Sequence, residues 1–161
     1  MTIGFILNGE DVVVRTDAEN RLVDILRGTF GLLGSKAGCY VGNCGCCSVI
    51  FNGDVVKSCL IPAFKIRDSE VITIEGFSQT DEYQDIVLGF SEEGVENCGF
   101  CNTGKILATE ALLSRNPRPA KDEILAAFIG IKCRCTEPES LVRGVTAVTK
   151  HRRRRVYGRS S

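Results

Sequence analysis

Nowhere does the 161-residue sequence hold the roughly 18 uninterrupted apolar residues of a membrane-spanning helix. No membrane span is predicted. Its first residues, Met1 to Phe5 followed by Asn8-Gly9-Glu10-Asp11, lack the basic start and apolar stretch of a secretory signal, so the reading is cytoplasmic. Net charge is missing too: 20 Lys and Arg balance 20 Asp and Glu, which gives the chain as a whole no electrostatic case for nucleic acid or a membrane surface. Histidine occurs once, as His151 in the run His151-Arg152-Arg153-Arg154-Arg155, where a solvated side chain is favoured over a metal ligand. The run itself reads as a solvated basic tail.

Cysteine is present in excess. Nine cysteines in a chain of this kind argue against a disulfide framework, because the count is odd, no export signal is visible and the cytosol is reducing. Metal ligation is the better reading. An apolar fraction of 43% suffices for one ordinary domain or two small ones.

The first half is punctuated like a small sheet. Ile3, Phe5 and Leu7 alternate with polar or small residues, and Asn8-Gly9 then separates them from residues 12–14, the pattern of a hairpin with a tight primed turn. Asn52-Gly53 marks a second hairpin between Ser48-Val49-Ile50-Phe51 and Asp54-Val55-Val56, and residues 71–74 form another short strand. Between the hairpins Leu22, Ile25, Leu26 and Phe30 share one helical face that Gly31 and Gly34 terminate. Beyond Gly76 the period becomes helical. Helices are predicted over 81–90, on the stripe Ile106, Leu107, Ala111 and Leu112, and on the stripe Ile124, Leu125, Phe128 and Ile129. A fourth starts at Thr136, where Thr136-Glu137-Pro138-Glu139 fits a capping box, and its apolar face is Leu141, Val142, Val145 and Val148. The fold class is α+β, a sheet-and-helix domain over 1–78 followed by an all-α bundle of four helices over 79–161.

Two sets of cysteines carry the chemistry. Cys39, Cys44, Cys47 and the distant Cys59 have the C-x4-C-x2-C spacing of plant-type [2Fe-2S] ferredoxins. Three ligands on one short loop must curl around two irons, which calls for residues that accept unusual backbone angles, and Gly38, Gly42 and Gly45 supply them. The second set, Cys98 and Cys101 with Cys133 and Cys135, reads C-x2-C and then C-x-C, each pair just ahead of a predicted helix. Spacing alone leaves zinc and a second cluster both open there. Cys46, squeezed between two ligands, reads as a buried small residue, with an oxidisable thiol or a substitute ligand as the alternatives.

These residues resemble the small iron-sulfur subunit of molybdenum hydroxylases, the xanthine dehydrogenase and aldehyde oxidoreductase group. That family's loop, G-L-T-G-x-K-x-G-C-x4-C-G-A-C-T-V, is followed closely by Gly31-Leu-Leu-Gly-Ser-Lys-Ala-Gly-Cys39 and Cys44-Gly-Cys-Cys-Ser-Val49. Its Q-C-G-F-C-T-P-G appears as Asn97-Cys-Gly-Phe-Cys-Asn-Thr-Gly104, and its C-R-C-T-G-Y as Cys133-Arg-Cys-Thr-Glu-Pro138. The likeness runs from the first hairpin to about Thr149. It implies a ferredoxin-like β-grasp domain followed by a helical domain, and a [2Fe-2S] cluster at the second cysteine set as well as the first. It also implies a molybdopterin-binding large subunit that oxidises a heteroaromatic or aldehyde substrate, and an FAD-binding medium subunit. Electrons would run from molybdenum through the second set, then the first, to FAD, with Cys135 and Asn97 approaching the pterin. Departures from the family pattern include Cys46 for alanine, Asn97 for glutamine, Thr103 for proline, and Glu137-Pro138 for Gly-Tyr. A free-standing ferredoxin-type carrier is the rival reading, although it would need no helical second half. A cluster- or zinc-based regulatory module is a third.

Overall fold

A computed structural model describes residues 1–95, 99–133 and 135–158. Both Asn-Gly pairs turn as their residue types require. Asn8 and Gly9 (φ 51° and 85°), like Asn52 and Gly53 (φ 49° and 89°), take the positive φ pair of a type I′ turn. They join β1 (Thr2–Leu7) to β2 (Glu10–Arg15) and β3 (Ser48–Phe51) to β4 (Asp54–Lys57). The fifth strand, β5 (Glu70–Ile72), runs parallel to β1 and antiparallel to β3, which gives the sheet order β2-β1-β5-β3-β4.

That last strand ends sooner than the expected 71–74. The side chain of Asn8 takes over the ladder: its Oδ1 accepts the Thr73 N–H at 2.8 Å, and its Nδ2 donates to Thr73 Oγ1 at 3.0 Å. Ile74 then opens a single helical turn, α2 (Ile74–Phe77). The first helix, α1 (Leu22–Gly28), also stops earlier than Gly31.

Alternation gives the sheet two working faces. On one, Ile3, Phe5, Leu7, Val14, Val49 and Val71 pack with Leu22, Ile25 and Leu26 of α1. On the other, Ile50, Val55 and Ile72 meet the helical half. That half comprises α3 (Asp81–Glu92), α4 (Asn102–Arg115), α5 (Lys121–Ala127) and α6 (Pro138–Gly158). Its core joins Ile86 and Phe90 of α3 to Ile106 and Leu107 of α4 and to Leu141, Val145 and Val148 of α6. Burying side chains of this size contributes on the order of 1.5–3 kcal/mol each. Gly89 and Gly144 let α3 and α6 approach closely, since a Cβ at Gly89 would lie 2.6 Å from the Val148 amide.

Three expectations for the helices need correction. The helix expected at Thr136 begins at Pro138, with proline in the first position, where its missing N–H costs nothing. Of the third stripe, Phe128 and Ile129 lie past the end of α5, and Ile129 is exposed. The arginine run is no tail either: α6 continues through it to Gly158, and α3 and α4 pair with two of its four arginines. Arg155 Nε donates to Asp85 Oδ2 at 2.9 Å and Nη2 to Glu82 Oε1 at 3.3 Å, while Arg152 pairs with Glu110 of α4. His151, half-buried, reaches Glu92 at 2.9 Å. Among the described residues no helix is long and apolar enough to cross a membrane.

Candidate metal centres

The first cysteine set sits on the loop between α1 and β3 and on the 3-10 turn Ser58–Leu60 that follows β4. Cationic side chains hold the loop by its carbonyls. Arg21 Nη1 donates to the Tyr40 C=O at 2.7 Å, Lys57 Nζ to that of Gly42 at 2.6 Å, and Arg27 Nη1 to those of Leu33 and Ser35 at 2.9 and 3.0 Å. With its carbonyls turned away, the loop aims its amides at sulfur. Cys39 Sγ accepts from the N–H groups of Asn43, Cys44 and Val41 at 3.1, 3.3 and 3.4 Å, and Cys44 Sγ accepts from Cys46 N–H at 3.5 Å. Tyr40 takes a positive φ of 59° to allow this, braced by Arg21 over its ring at 5.1 Å and by a 2.8 Å hydrogen bond from its hydroxyl to Asp24. A Cβ on Gly38 would stand 2.8 Å from Cys44 Sγ, so this glycine is required by closeness to sulfur.

Backbone donation sets the electrostatics. The amides of Val41, Cys44 and Asn43 pull the Cys39 thiol down to about 6, which stabilises the thiolate that binds metal. Burial and the neighbouring Cys47 push Cys59 up to about 11 without a metal charge. The four thiols fall into two pairs, Cys39 with Cys44 and Cys47 with Cys59, the last two packed together beside Val23. Among the described residues no three His, Cys, Asp or Glu side chains group as a single-ion site. Two thiol pairs, three of the thiols on the amide-lined loop and Cys59 on the adjoining turn, suit a two-iron cluster, which these four residues would hold with the loop N–H groups as donors to its anionic sulfurs.

The second set is described in part. Cys101 is buried at the N-cap of α4, Cys133 is half-buried in the segment before α6, and Cys135 is exposed. Cys98 and Asn97 lie outside the described residues. Burial raises the Cys133 thiol, but hydrogen bonds from Cys101 and the Cys135 amide, with Lys105 and Thr136 nearby, outweigh it and leave the thiol below its ordinary value. None of the described cysteines is in a disulfide. Cys46 is buried and, by that burial above all, pushed up to about 12.

The two sets meet backbone to backbone. Lys132 N–H, one residue before Cys133, donates to the C=O of Cys44 at 2.9 Å. Gly45 and Gly104 make room for this contact: a Cβ on Gly104 would lie 2.7 Å from Gly45 O, and one on Gly45 2.6 Å from Gly130 O. Thr103, a departure from the family pattern, adds a clasp by donating to the C=O of Gly34 at 2.8 Å, while Glu75 Oε1 accepts the Gly34 N–H at 2.7 Å. Sequence reasoning missed Arg21, Arg27, Lys57, Thr103 and Lys105 as supports of these loops. Their only signal was a charged or polar residue beside an apolar or glycine-rich stretch, and most such residues face water.

Two family models cover most of the chain, a 2Fe-2S iron-sulfur cluster binding domain over residues 5–72 and a [2Fe-2S] binding domain over 73–146. The nicotinate dehydrogenase small FeS subunit of Eubacterium barkeri is 43% identical over 136 residues, 84% of this chain and 87% of that protein. A crystal structure of quinoline 2-oxidoreductase from Pseudomonas putida 86 superposes with a TM-score of 0.85 at 34% identity, covering 96% of each chain. The aldehyde oxidoreductase of Desulfovibrio desulfuricans matches with a TM-score of 0.84 at 31% identity over 94% of this chain and 17% of its own, much longer one. Sequence, fold and the two cluster-binding domains thus agree that this chain belongs to the small iron-sulfur subunits of the molybdenum hydroxylases, the xanthine dehydrogenase and aldehyde oxidoreductase group, and serves there as an electron-transfer subunit with two [2Fe-2S] clusters.

Proposed function

We propose that Cys39, Cys44, Cys47 and Cys59 hold one cluster and Cys98, Cys101, Cys133 and Cys135 the other, and that electrons enter at the helical half and leave from the sheet half. In this reading a molybdopterin-bearing large subunit hydroxylates the substrate and an FAD-bearing medium subunit takes the electrons, all in the cytoplasm. Substrate chemistry then belongs to a partner, and this chain contributes no substrate site. The names nicotinate dehydrogenase and quinoline 2-oxidoreductase, carried by similar proteins, support a nitrogen heteroaromatic substrate class.

The observation that carries the reading is the 2.9 Å hydrogen bond from Lys132 N–H to Cys44 C=O, a short bridge between a residue of the first cysteine set and the neighbour of Cys133 in the second. When bound, each cluster supplies a one-electron store; the chain's own residues fix where the two stores sit and what surrounds them. Exposed Cys135 gives the helical-half centre an outward edge, where we place the pterin contact together with Asn97. Tyr40, Val41 and Leu60, all exposed beside the first set, form the apolar rim that a docked subunit would cover. A free carrier has no use for such a rim.

The test is affinity capture of the tagged chain from its own cells, followed by metal analysis. Larger subunits and molybdenum should accompany it. A monodisperse chain carrying iron and no molybdenum would favour the free carrier.

A further inference from the structure

The first two turns of α4 are enclosed on all sides: every residue from Thr103 to Thr109 is buried. Among them is a cation, Lys105, with no exposed surface at all. Taking an ammonium out of water costs several kcal/mol unless anionic or dipolar groups replace the lost hydration, so the groups around Lys105 decide what its charge acts on. The side chain runs toward the second cysteine set. Lys105 Nζ donates to Thr136 Oγ1 at 3.0 Å, and Thr136 Oγ1 lies 3.9 Å from Cys133 Sγ. The same three residues line a largely apolar cavity of about 190 Å³ whose other walls include Phe128, Ile131 and Leu141, and the wholly buried Lys105 charge is weakly screened.

The order of these groups is that of a charge-assisted relay. Thr136 stands between the other two: its Oγ1 accepts from Lys105 Nζ and lies at hydrogen-bond distance from Cys133 Sγ, which as a thiolate ligand has no proton to donate and can only accept. We propose that Lys105, acting through Thr136 on Cys133, is a positioning residue that raises the reduction potential of the second cluster. The proposal rests on Cys133 being a ligand of that cluster. A [2Fe-2S] centre with four cysteinates is already an anion when oxidised, and the electron it takes up adds one more negative charge. A fixed cation and a hydrogen bond to a ligand sulfur therefore stabilise the reduced form more than the oxidised one. Easier reduction of the second cluster favours it as the point where electrons enter the chain.

The full chain, loaded with iron and sulfide, is titrated against potential with detection by electron paramagnetic resonance, for the wild type and for Lys105→Met, Lys105→Arg and Thr136→Val. Iron is counted first. Two clusters and two one-electron midpoints are expected in the wild type; one cluster alone would overturn the ligand reading, and this proposal with it. Lys105→Met should lower one midpoint by at least tenfold in the reduced-to-oxidised ratio, ~59 mV for one electron, and leave the other unmoved. Thr136→Val should lower the same midpoint by less, and Lys105→Arg should restore most of the loss. Should Lys105→Met fail to load its second cluster, Thr136→Val decides. Two loaded clusters with unchanged midpoints in Thr136→Val and in any loaded Lys105→Met protein would overturn the proposal while leaving the ligand assignment standing.

Discussion

Cys46 lies between two proposed ligands in sequence, and the fold withdraws it from solvent with its thiol beside that of Cys44. Burial pushes its thiol up to about 12, and the reactive form of a thiol is the thiolate. Because the pKa is raised, the group is protonated throughout the neutral range, with about one thiolate in ten thousand at pH 8. Iodoacetamide at pH 8 should leave the native, cluster-loaded chain unmodified at Cys46 and label it fully after unfolding, as read by mass spectrometry. Thr103 makes a second residue-scale case. In the sequence it was only a departure from proline, but its hydroxyl ties α4 to the first cysteine loop at Gly34. Thr103→Val keeps the shape and removes the bond, which should cost ~1–2 kcal/mol in urea unfolding of the loaded chain, whereas Thr103→Ser should cost less.

Elements were legible where their cause is local. Asn8-Gly9 and Asn52-Gly53 specify primed turns by residue type, and the hairpins follow. Two features escaped because their cause is tertiary. The early turns of α4 are buried all round, so no polar face marks Lys105 or Thr109 as interior residues. The basic run looked like a solvated tail because its partners, Glu82 and Asp85 on α3 and Glu110 on α4, are distant in sequence. Arg152 and Arg155, three apart, share one helix face and turn inward, while Arg153 and Arg154 stay exposed. Asp85 is almost wholly buried, and its hydrogen bond to Arg155 holds that guanidinium above its usual range. Arg155→Ala should therefore cost ~1–3 kcal/mol, since it weakens the pairing of a buried carboxylate. Arg154→Ala should change stability by no more than ~0.5 kcal/mol. Urea midpoints of the two variants, compared at equal cluster content, check the difference.

Across the whole molecule, the sheet is packed by α1 on one face and by the helical half on the other, which brings two cysteine loops from distant parts of the chain to one backbone contact. The first loop was readable from spacing and glycines. The pairing of loops was not, because Lys132 N–H and Gly34 C=O carry no sequence signature. The nine cysteines divide unequally: four assigned to the first centre, three of them on an amide-lined loop, four assigned to the second, and Cys46 outside both. The central claim is two [2Fe-2S] clusters in one chain, and the most direct measurement is iron, zinc and acid-labile sulfide per purified chain. The account predicts about four iron, about four sulfide and no zinc, from two clusters of two irons each. Two iron, two sulfide and one zinc would contradict it.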